Sequence, residues 1–295
     1  MKMKTLAIDI GGTFIKYGLI DEECHLSQKG KVPTPQDTQE HILEVLSGLY
    51  HQFDEDLEGI AISAPGRIDS ENGVMITGGA LRYLDGFHLI ENLKPLCDNK
   101  PISIENDAKA AALCESWIGS SKDCENSVVM IFGSGIGGGI VYKNDIIRGH
   151  QLIAGEFSPV FSDMRRDSYR EMADDYSTLT VVKKVKETKN DESLTGEDMM
   201  RLYREGDEEV VSIVEDWFFA IAKYCYNIDN IINPDIICIG GGISEDPLFV
   251  EGIEKALVEI EKHAFTFRKP PITVCQYHND SNLIGAYYTF KKTLH

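Results

Sequence analysis

Two stretches of this chain read as the same device. Thr5 to Ile10 is an apolar run broken by one carboxylate, Asp9; it enters Gly11-Gly12-Thr13 and resumes as Phe14 to Ile20. Ser127 to Phe132 is a second apolar run; it enters Gly133-Ser134-Gly135-Ile136-Gly137-Gly138-Gly139 and leaves through Ile140-Val141-Tyr142 into a Lys143-Asn144-Asp145 turn. Apolar runs joined through glycine are hairpin signals. Glycine tolerates the positive φ of a tight turn and keeps side chains out of the way. Successive backbone N–H groups there can approach an anion. One such hairpin reads equally well as a plain turn with an exposed Asp. Two, each carrying a hydroxyl, suggest two similar domains that face each other and grip one phosphate chain from both sides. Asp9, where the first strand enters its turn, suits the water shell of a Mg²⁺ ion.

A chain of 295 residues is long enough for two domains, and 42% hydrophobic with 26% charged residues predicts an ordinary globular core. The formal net charge of −19 argues against nucleic acid or an anionic membrane as partner, since phosphate backbones call for Lys and Arg. A bound nucleotide must then be held by backbone amides and metal. No apolar stretch is long enough to span a bilayer, and the first strand begins near Thr5, so neither a membrane span nor a signal peptide is expected. Seven cysteines without a C-x-x-C pair predict reduced thiols and a cytoplasmic protein.

Between the hairpins, Val32-Pro33-Thr34-Pro35 reads as an extended loop, and Ile42, Val45, Leu46, Leu49, Tyr50 and Phe53 fall at helical spacing. Leu57 to Ser63 is a strand that ends in Ala64-Pro65-Gly66-Arg67. Pro101 to Glu105 is another, followed by a helix over Ala108 to Trp117 that Asn106 or Asp107 can cap. Beyond the second hairpin come helical fragments near Thr180–Lys186 and Asp198–Tyr203, then a long helix, Val210 to Ile232. Asp235 to Ile239 is a buried strand running into Gly240-Gly241-Gly242; Pro247 to His263 is helical, Ile272 to Gln276 a strand and Asn282 to Thr293 a last helix. Strands alternating with helices predict α/β layering.

Three further features carry possible chemistry. Asp107 suits a general base that takes the proton of an attacking hydroxyl, with Asn106 holding a neighbouring hydroxyl; the plain alternative is a helix cap. Glu156, in a stretch of small and apolar residues, can accept two sugar hydroxyls or lie on the surface. Gly240-Gly241-Gly242 can lie flat against an adenine ring or serve close strand–helix packing.

Taken together, Asp9-Ile10-Gly11-Gly12-Thr13, Ser63-Ala64-Pro65-Gly66, Glu105-Asn106-Asp107-Ala108, Gly133 to Gly139, Ala154-Gly155-Glu156 and Gly240-Gly241-Gly242 resemble the motif series of the ROK sugar kinases, over Lys4 to about Thr289. The resemblance implies a two-domain, actin-like (ribonuclease H-like) α/β fold with an interdomain cleft. Its domains would be 1–118, completed by the helix 282–295, and 119–281. It implies transfer of the γ-phosphoryl of ATP, with Mg²⁺, to a sugar hydroxyl. Asp107 would be the base. ATP would lie on Asp9, Gly11, Gly12, Thr13 and Lys16, on Gly133, Ser134, Gly135 and Gly137, and on Gly241 and Gly242. Sugar would meet Gly66, Gly79, Asn106, Asp107 and Glu156. Homodimers are common in the family, and one is expected.

Three departures stand out. Glu156-Phe157-Ser158-Pro159 places Pro159 where the family has a histidine that contacts sugar and ligates zinc. The cysteine cluster of that zinc site is absent between Ser162 and Ser177, so no zinc is expected. Thr77-Gly78-Gly79-Ala80-Leu81 has Ala80 in place of the usual Asn. A second sugar-binding carboxylate is left open among Glu171, Asp174 and Asp175. These departures are similar to the bacterial β-glucoside kinase branch, which phosphorylates the 6-hydroxyl of the non-reducing glucose of glycosides such as cellobiose. Small residues at Gly79, Ala80 and Ser158 would leave room beyond one ring. Alternatives are a monosaccharide kinase acting on glucose, fructose or an N-acetylhexosamine, and a non-catalytic sugar-binding regulator; the latter would carry a helix-turn-helix, for which the early first strand leaves no room.

Overall fold

The runs that meet at glycine pair as hairpins in the computed structural model, which describes residues 3–53, 56–265 and 268–294. Contacts divide the chain into two units. The first is Met1–Trp117 with Arg148–Ala154 and Asn279–His295; the second is Ile118–Ile147 with Gly155–His278. The stretch Arg148–Ala154 thus lies apart from its neighbours in sequence, which a boundary at 118/119 does not anticipate.

In the first unit, β1 (Lys4–Ile10) pairs antiparallel with β2 (Phe14–Ile20), and β2 with β3 (Leu26–Pro33). Helix α1 (Gln39–His51) follows, its first turn closed by Thr38, whose Oγ1 accepts the His41 N–H at 3.2 Å. Strand β4 (Leu57–Ala64) lies parallel to β1. The small hairpin of β5 (Ile68–Asp69) and β6 (Val74–Met75) and the short helix α2 (Leu89–Leu93) lead to β7 (Ile102–Asn106), parallel to β4, and to α3 (Asp107–Trp117). The sheet order is β3-β2-β1-β4-β7. Strand β3 takes in Val32 and Pro33 of the stretch read as an extended loop and leaves Thr34 and Pro35 outside it. It is an edge strand with no fully buried residue, so the alternation that marks a strand in sequence is missing. Leu6, Ile8, Ile10, Ile60, Ile62 and Ile104 bury the face against α1, where Ile42 and Leu46 meet them.

The second unit repeats the arrangement. Strands β8 (Ser127–Phe132), β9 (Ile136–Tyr142) and β10 (Asp145–Ile146) are antiparallel neighbours. Helices α4 (Met172–Tyr176), α5 (Thr178–Lys189), α6 (Gly196–Glu205) and α7 (Glu208–Ile232) precede β11 (Ile236–Gly240); α8 (Pro247–His263) and β12 (Ile272–Val274) close the set. The order β10-β9-β8-β11-β12, with β11 parallel to β8 and β12, matches the first sheet strand for strand. This is the ribonuclease H-like sheet of actin-like proteins, present twice. Trp217 of α7 lies 4.8 Å from the Phe249 ring of α8 at the centre of this core, and its indole N–H is satisfied by the Tyr176 carbonyl at 2.8 Å. Helix α9 (Ser281–Thr293) returns to the first unit and packs on α3 so closely that any side chain at Gly285 would overlap the Ala110 carbonyl. Among the described residues, no helix is long and apolar enough to cross a membrane.

Candidate active site

The first glycine turn is built differently from the sequence expectation. Neither Gly11 nor Gly12 has a positive φ. Gly11 is required by close approach instead: a Cβ there would stand 2.8 Å from the Phe14 carbonyl oxygen, which accepts the Gly11 N–H at 3.1 Å. Gly12 faces open space on its Cβ side, so its backbone is bare to an incoming group. The turn is braced from the next segment. Thr34 Oγ1 donates to the Gly11 carbonyl at 2.7 Å, and Gln36 Nε2 donates to the Gly12 carbonyl at 2.8 Å. These carbonyls are occupied by protein donors and the Gly11 N–H is spent on Phe14, so an anion would have to be met by the amides beyond Gly11.

Asp9 is buried at the end of β1. Its Oδ1 accepts Ser63 Oγ at 3.0 Å and Asn282 Nδ2 at 3.1 Å. Burial pushes its carboxyl above the ordinary Asp value, while the Asn282 and Ser63 hydrogen bonds and the charge of Lys16, its cross-strand partner, pull the other way. A carboxylate kept out of water and oriented by two neutral donors fits a group that meets a cation's water shell. Ser63 stands in a quoted motif but was given no role, and Asn282 was not singled out at all. It lies 273 positions from Asp9, and no local pattern announces such a pair.

At the other end of the same sheet edge, two loops cross backbone to backbone. Gly66 has φ +89° and would overlap the Thr77 carbonyl with any side chain; Gly79 has φ +62° and its Cβ would lie 3.2 Å from the Gly66 amide nitrogen. Both glycines therefore shape this unit's backbone. The Gly66 carbonyl accepts Asn106 Nδ2 at 2.9 Å. Asn106 Oδ1 accepts the Lys109 N–H at 3.0 Å and so caps α3, which makes Asn106 the cap and Asp107 the first helical residue. Asp107 Oδ1 accepts the Ala108 N–H at 2.8 Å and Asn106 Nδ2 at 3.0 Å, which fixes its carboxylate. Capping and positioning are thus one arrangement.

Beneath this pair lies a charge that stands in a quoted motif but was given no role of its own. Glu105 is fully buried at the end of β7. Its Oε1 accepts Ser70 Oγ at 3.1 Å and the Asn106 N–H at 3.0 Å, and its Oε2 is paired with Arg148 Nη2. Arg148 belongs to the stretch that lies with the first unit.

In the second unit, the Gly133 N–H donates to the Gly135 carbonyl at 2.9 Å, and Gly133, like Gly12, is open on its Cβ side. Ser158 clamps the turn: its Oγ accepts the Ile136 N–H at 2.8 Å and would sit 2.8 Å from a Cβ on Gly135. Ser158 therefore supports the turn, and its small size is no evidence of sugar room. Gly138 admits no side chain because the Val129 carbonyl and the Phe157 ring occupy that space. Ser134 and Gly137 lie on the same turn, at and beside the start of β9. Glu156 follows Gly155, whose φ of +78° turns the chain against Gly139. Gly241 and Gly242 separate into two roles. Gly241, φ +100°, lies against the Phe132 backbone and leaves no space for a side chain; Gly242 is open and lines a cavity of about 770 Å³ with Thr178, Met200, Arg204, Ile243 and Pro247. Of the three acidic candidates, Asp175 is paired with Arg170 and Ser162, while Glu171 and Asp174 form a reciprocal capping box at the start of α4, in which Asp174 accepts the Glu171 N–H at 3.2 Å and the Glu171 side chain accepts from the Asp174 backbone, so all three are engaged within this unit. Among the described residues, the trio Asp21, Glu23 and His25 is close enough to hold a cation, but Asp21 Oδ1 accepts the N–H groups of Glu23 and His25 in a local turn.

The ROK family model matches residues 5–293. A beta-glucoside kinase of Listeria monocytogenes is 31% identical over 298 residues, covering 98% of this chain and 97% of the relative. One from Klebsiella pneumoniae is 32% identical over 296 residues with the same coverage. A crystal structure of a ROK family protein from Streptococcus pneumoniae TIGR4 in complex with sucrose superposes with a TM-score of 0.91 at 28% identity, over 99% of both chains.

Proposed function

The chain belongs to the ROK family, and from that premise we propose that it is an ATP-dependent sugar kinase whose acceptor is the 6-hydroxyl of a β-glucoside. The sugar-kinase activity is common to the named relatives, and the full-length similarity to beta-glucoside kinases supports the acceptor class. The observation that carries the mechanism is the fixed pair Asn106–Asp107: one amide nitrogen reaches both the Gly66 carbonyl and Asp107 Oδ1, so the base is held in one orientation. Asp107 takes the proton of the sugar hydroxyl as that oxygen bonds to the γ-phosphorus. The bond from phosphorus to the bridging oxygen breaks, and ADP leaves. Asn106, Gly66, Gly79 and Glu156 would hold the sugar. The amides of the two glycine turns, with Ser134, Thr13 and Lys16, would hold the phosphates, and the cavity beside Gly242 would take the adenine. Mg²⁺, when bound, neutralises charge on the phosphate oxygens, and Asp9 would hold it through water. We take the working form to be a cytoplasmic homodimer, as the family resemblance suggests.

The test is ADP release with Mg·ATP and no sugar, glucose, fructose, N-acetylmannosamine or cellobiose. Turnover with cellobiose well above glucose is expected. Turnover with a monosaccharide alone would overturn the acceptor, and ADP release that no sugar raises would overturn the kinase.

A further inference from the structure

The start of α5 carries three hydroxyls, and two of them are spent inside the protein. Ser177 caps the helix: its Oγ accepts the Thr180 N–H at 3.3 Å and donates to Thr180 Oγ1 at 2.8 Å. Thr180 Oγ1 in turn donates to the Ala173 carbonyl at 3.1 Å. Thr178, between them, is different. Its Oγ1 is shielded from water and has no hydrogen-bond partner. A buried polar group left unpaired is costly, and native structures keep few of them. Thr178 lines the cavity of about 770 Å³ that also meets Met200, Gly242, Ile243 and Pro247. Threonine in a helix has two accessible χ1 rotamers, and a change between them moves the hydroxyl, so this group can turn to a ligand in that cavity. The same end of α5 is tied to the second glycine turn, because the Leu179 N–H donates to the Gly133 carbonyl at 3.2 Å. All of these residues belong to the second unit. Thr178 thus stands between the cavity and the turn. In a nucleotide, the sugar lies between the base and the phosphates.

We propose that Thr178 is a nucleotide-specificity residue whose hydroxyl hydrogen-bonds a ribose hydroxyl, so that the protein tells a ribonucleotide from its deoxy analogue. The inference rests on the reading above, with the base beside Gly242 and the phosphates on Gly133 to Gly137, and names the contact between them. A site that offers a buried hydroxyl to a ligand hydroxyl discriminates against the analogue lacking it, because the protein group then stays unpaired.

Titration calorimetry of Mg·ADP and its 2′-deoxy and 3′-deoxy analogues with the wild type, Thr178→Val, Thr178→Ser and Gly242→Ala tests this without a sugar acceptor. Thr178→Val keeps the branched shape and removes the hydroxyl. It weakens ADP roughly 3–10-fold, the span of one neutral hydrogen bond. It leaves the affinity unchanged for one deoxy analogue, the one that lacks the hydroxyl Thr178 meets. Thr178→Ser stays close to the wild type, and Gly242→Ala weakens all three nucleotides alike. If Gly242→Ala weakens ADP while Thr178→Val costs nothing, or costs the same for all three nucleotides, the ribose contact is overturned and the placement of the base stands. If Gly242→Ala leaves ADP binding unchanged, the base lies elsewhere and the proposal falls with that reading.

Discussion

Removing Arg148 should injure the protein through Glu105, and the size of the injury follows from burial. Glu105 is fully enclosed and paired with the Arg148 guanidinium; Ser70 and the Asn106 amide supply neutral hydrogen bonds. Breaking a buried ion pair from one side costs about 3–5 kcal/mol because the other charge stays behind. The Arg148 side chain is 28% exposed, so water screens part of the interaction and the lower end, about 3 kcal/mol, is the figure for Arg148→Met. For units of this size that corresponds to a Tm lowered by roughly 6–12 °C. Glu105→Gln/Arg148→Met removes both charges while leaving an oxygen to accept from Ser70 and Asn106, and should recover most of the loss. The double-mutant cycle then gives a coupling of about 2 kcal/mol. Because Glu105 holds the amide of Asn106, Arg148→Met should also lower kcat more than it raises the KM for ATP. Thermal unfolding and steady-state kinetics of the four proteins measure all of this. A Tm change under about 2 °C for Arg148→Met, or strictly additive losses in the cycle, would refute the reasoning.

Asp107→Asn should keep sugar and ATP binding by calorimetry and lose about 10²–10⁴-fold in kcat, the usual span of a general base; substantial remaining turnover would remove Asp107 from that role. Asp9→Asn should separate stability from activity. The folded-state pKa of Asp9 is raised, so the ionised side chain opposes folding increasingly as pH rises above the unfolded value of 3.8, and the opposition is relieved as pH falls back through that window. The variant should therefore have a higher Tm than the wild type at pH 7, with the gap closing in acid, and an affinity for Mg²⁺ lowered roughly 10–100-fold. A lower Tm at pH 7 would contradict the burial argument. Gly241→Ala should destabilise by about 1–3 kcal/mol or more, because its φ of +100° is strained for alanine and the Phe132 backbone blocks the side chain. Gly242→Ala should fold normally and raise the KM for ATP, and an unchanged KM would place the adenine elsewhere.

What could be read from sequence, and what could not, divides along contact range. Both glycine hairpins were legible because strand, turn and returning strand are consecutive; the buried runs Leu6 to Ile10 and Val128 to Phe132 announce themselves by composition alone. Strand β3 was not, since Leu26–Pro33 sits at an edge, half exposed, with a left-handed residue, Gln28, breaking its alternation. Helix α4 is too short for a periodic signal. The cap and the base candidate at Asn106–Asp107 were visible as a local pattern. Their orientation was not, because it depends on the Gly66 carbonyl, 40 positions away, and on the Glu105–Arg148 pair, 43 apart.

The same division bears on how an acidic protein handles an anionic nucleotide. The net charge is −19, and each glycine turn is held by hydrogen bonds to internal partners. Thr34 and Gln36 occupy the carbonyls of Gly11 and Gly12; Ser158 fixes the amide of Ile136 behind the second turn. Gly12 and Gly133 are left bare on the side where a Cβ would stand. If these turns bind phosphate as proposed, backbone dipoles oriented in this way would cost no reorganisation on binding, whereas lysine side chains would have to be ordered first. The duplicated sheet order supplies that arrangement twice, and the carboxylates proposed for chemistry differ between the units, Asp9 and Asp107 in one and Glu156 in the other.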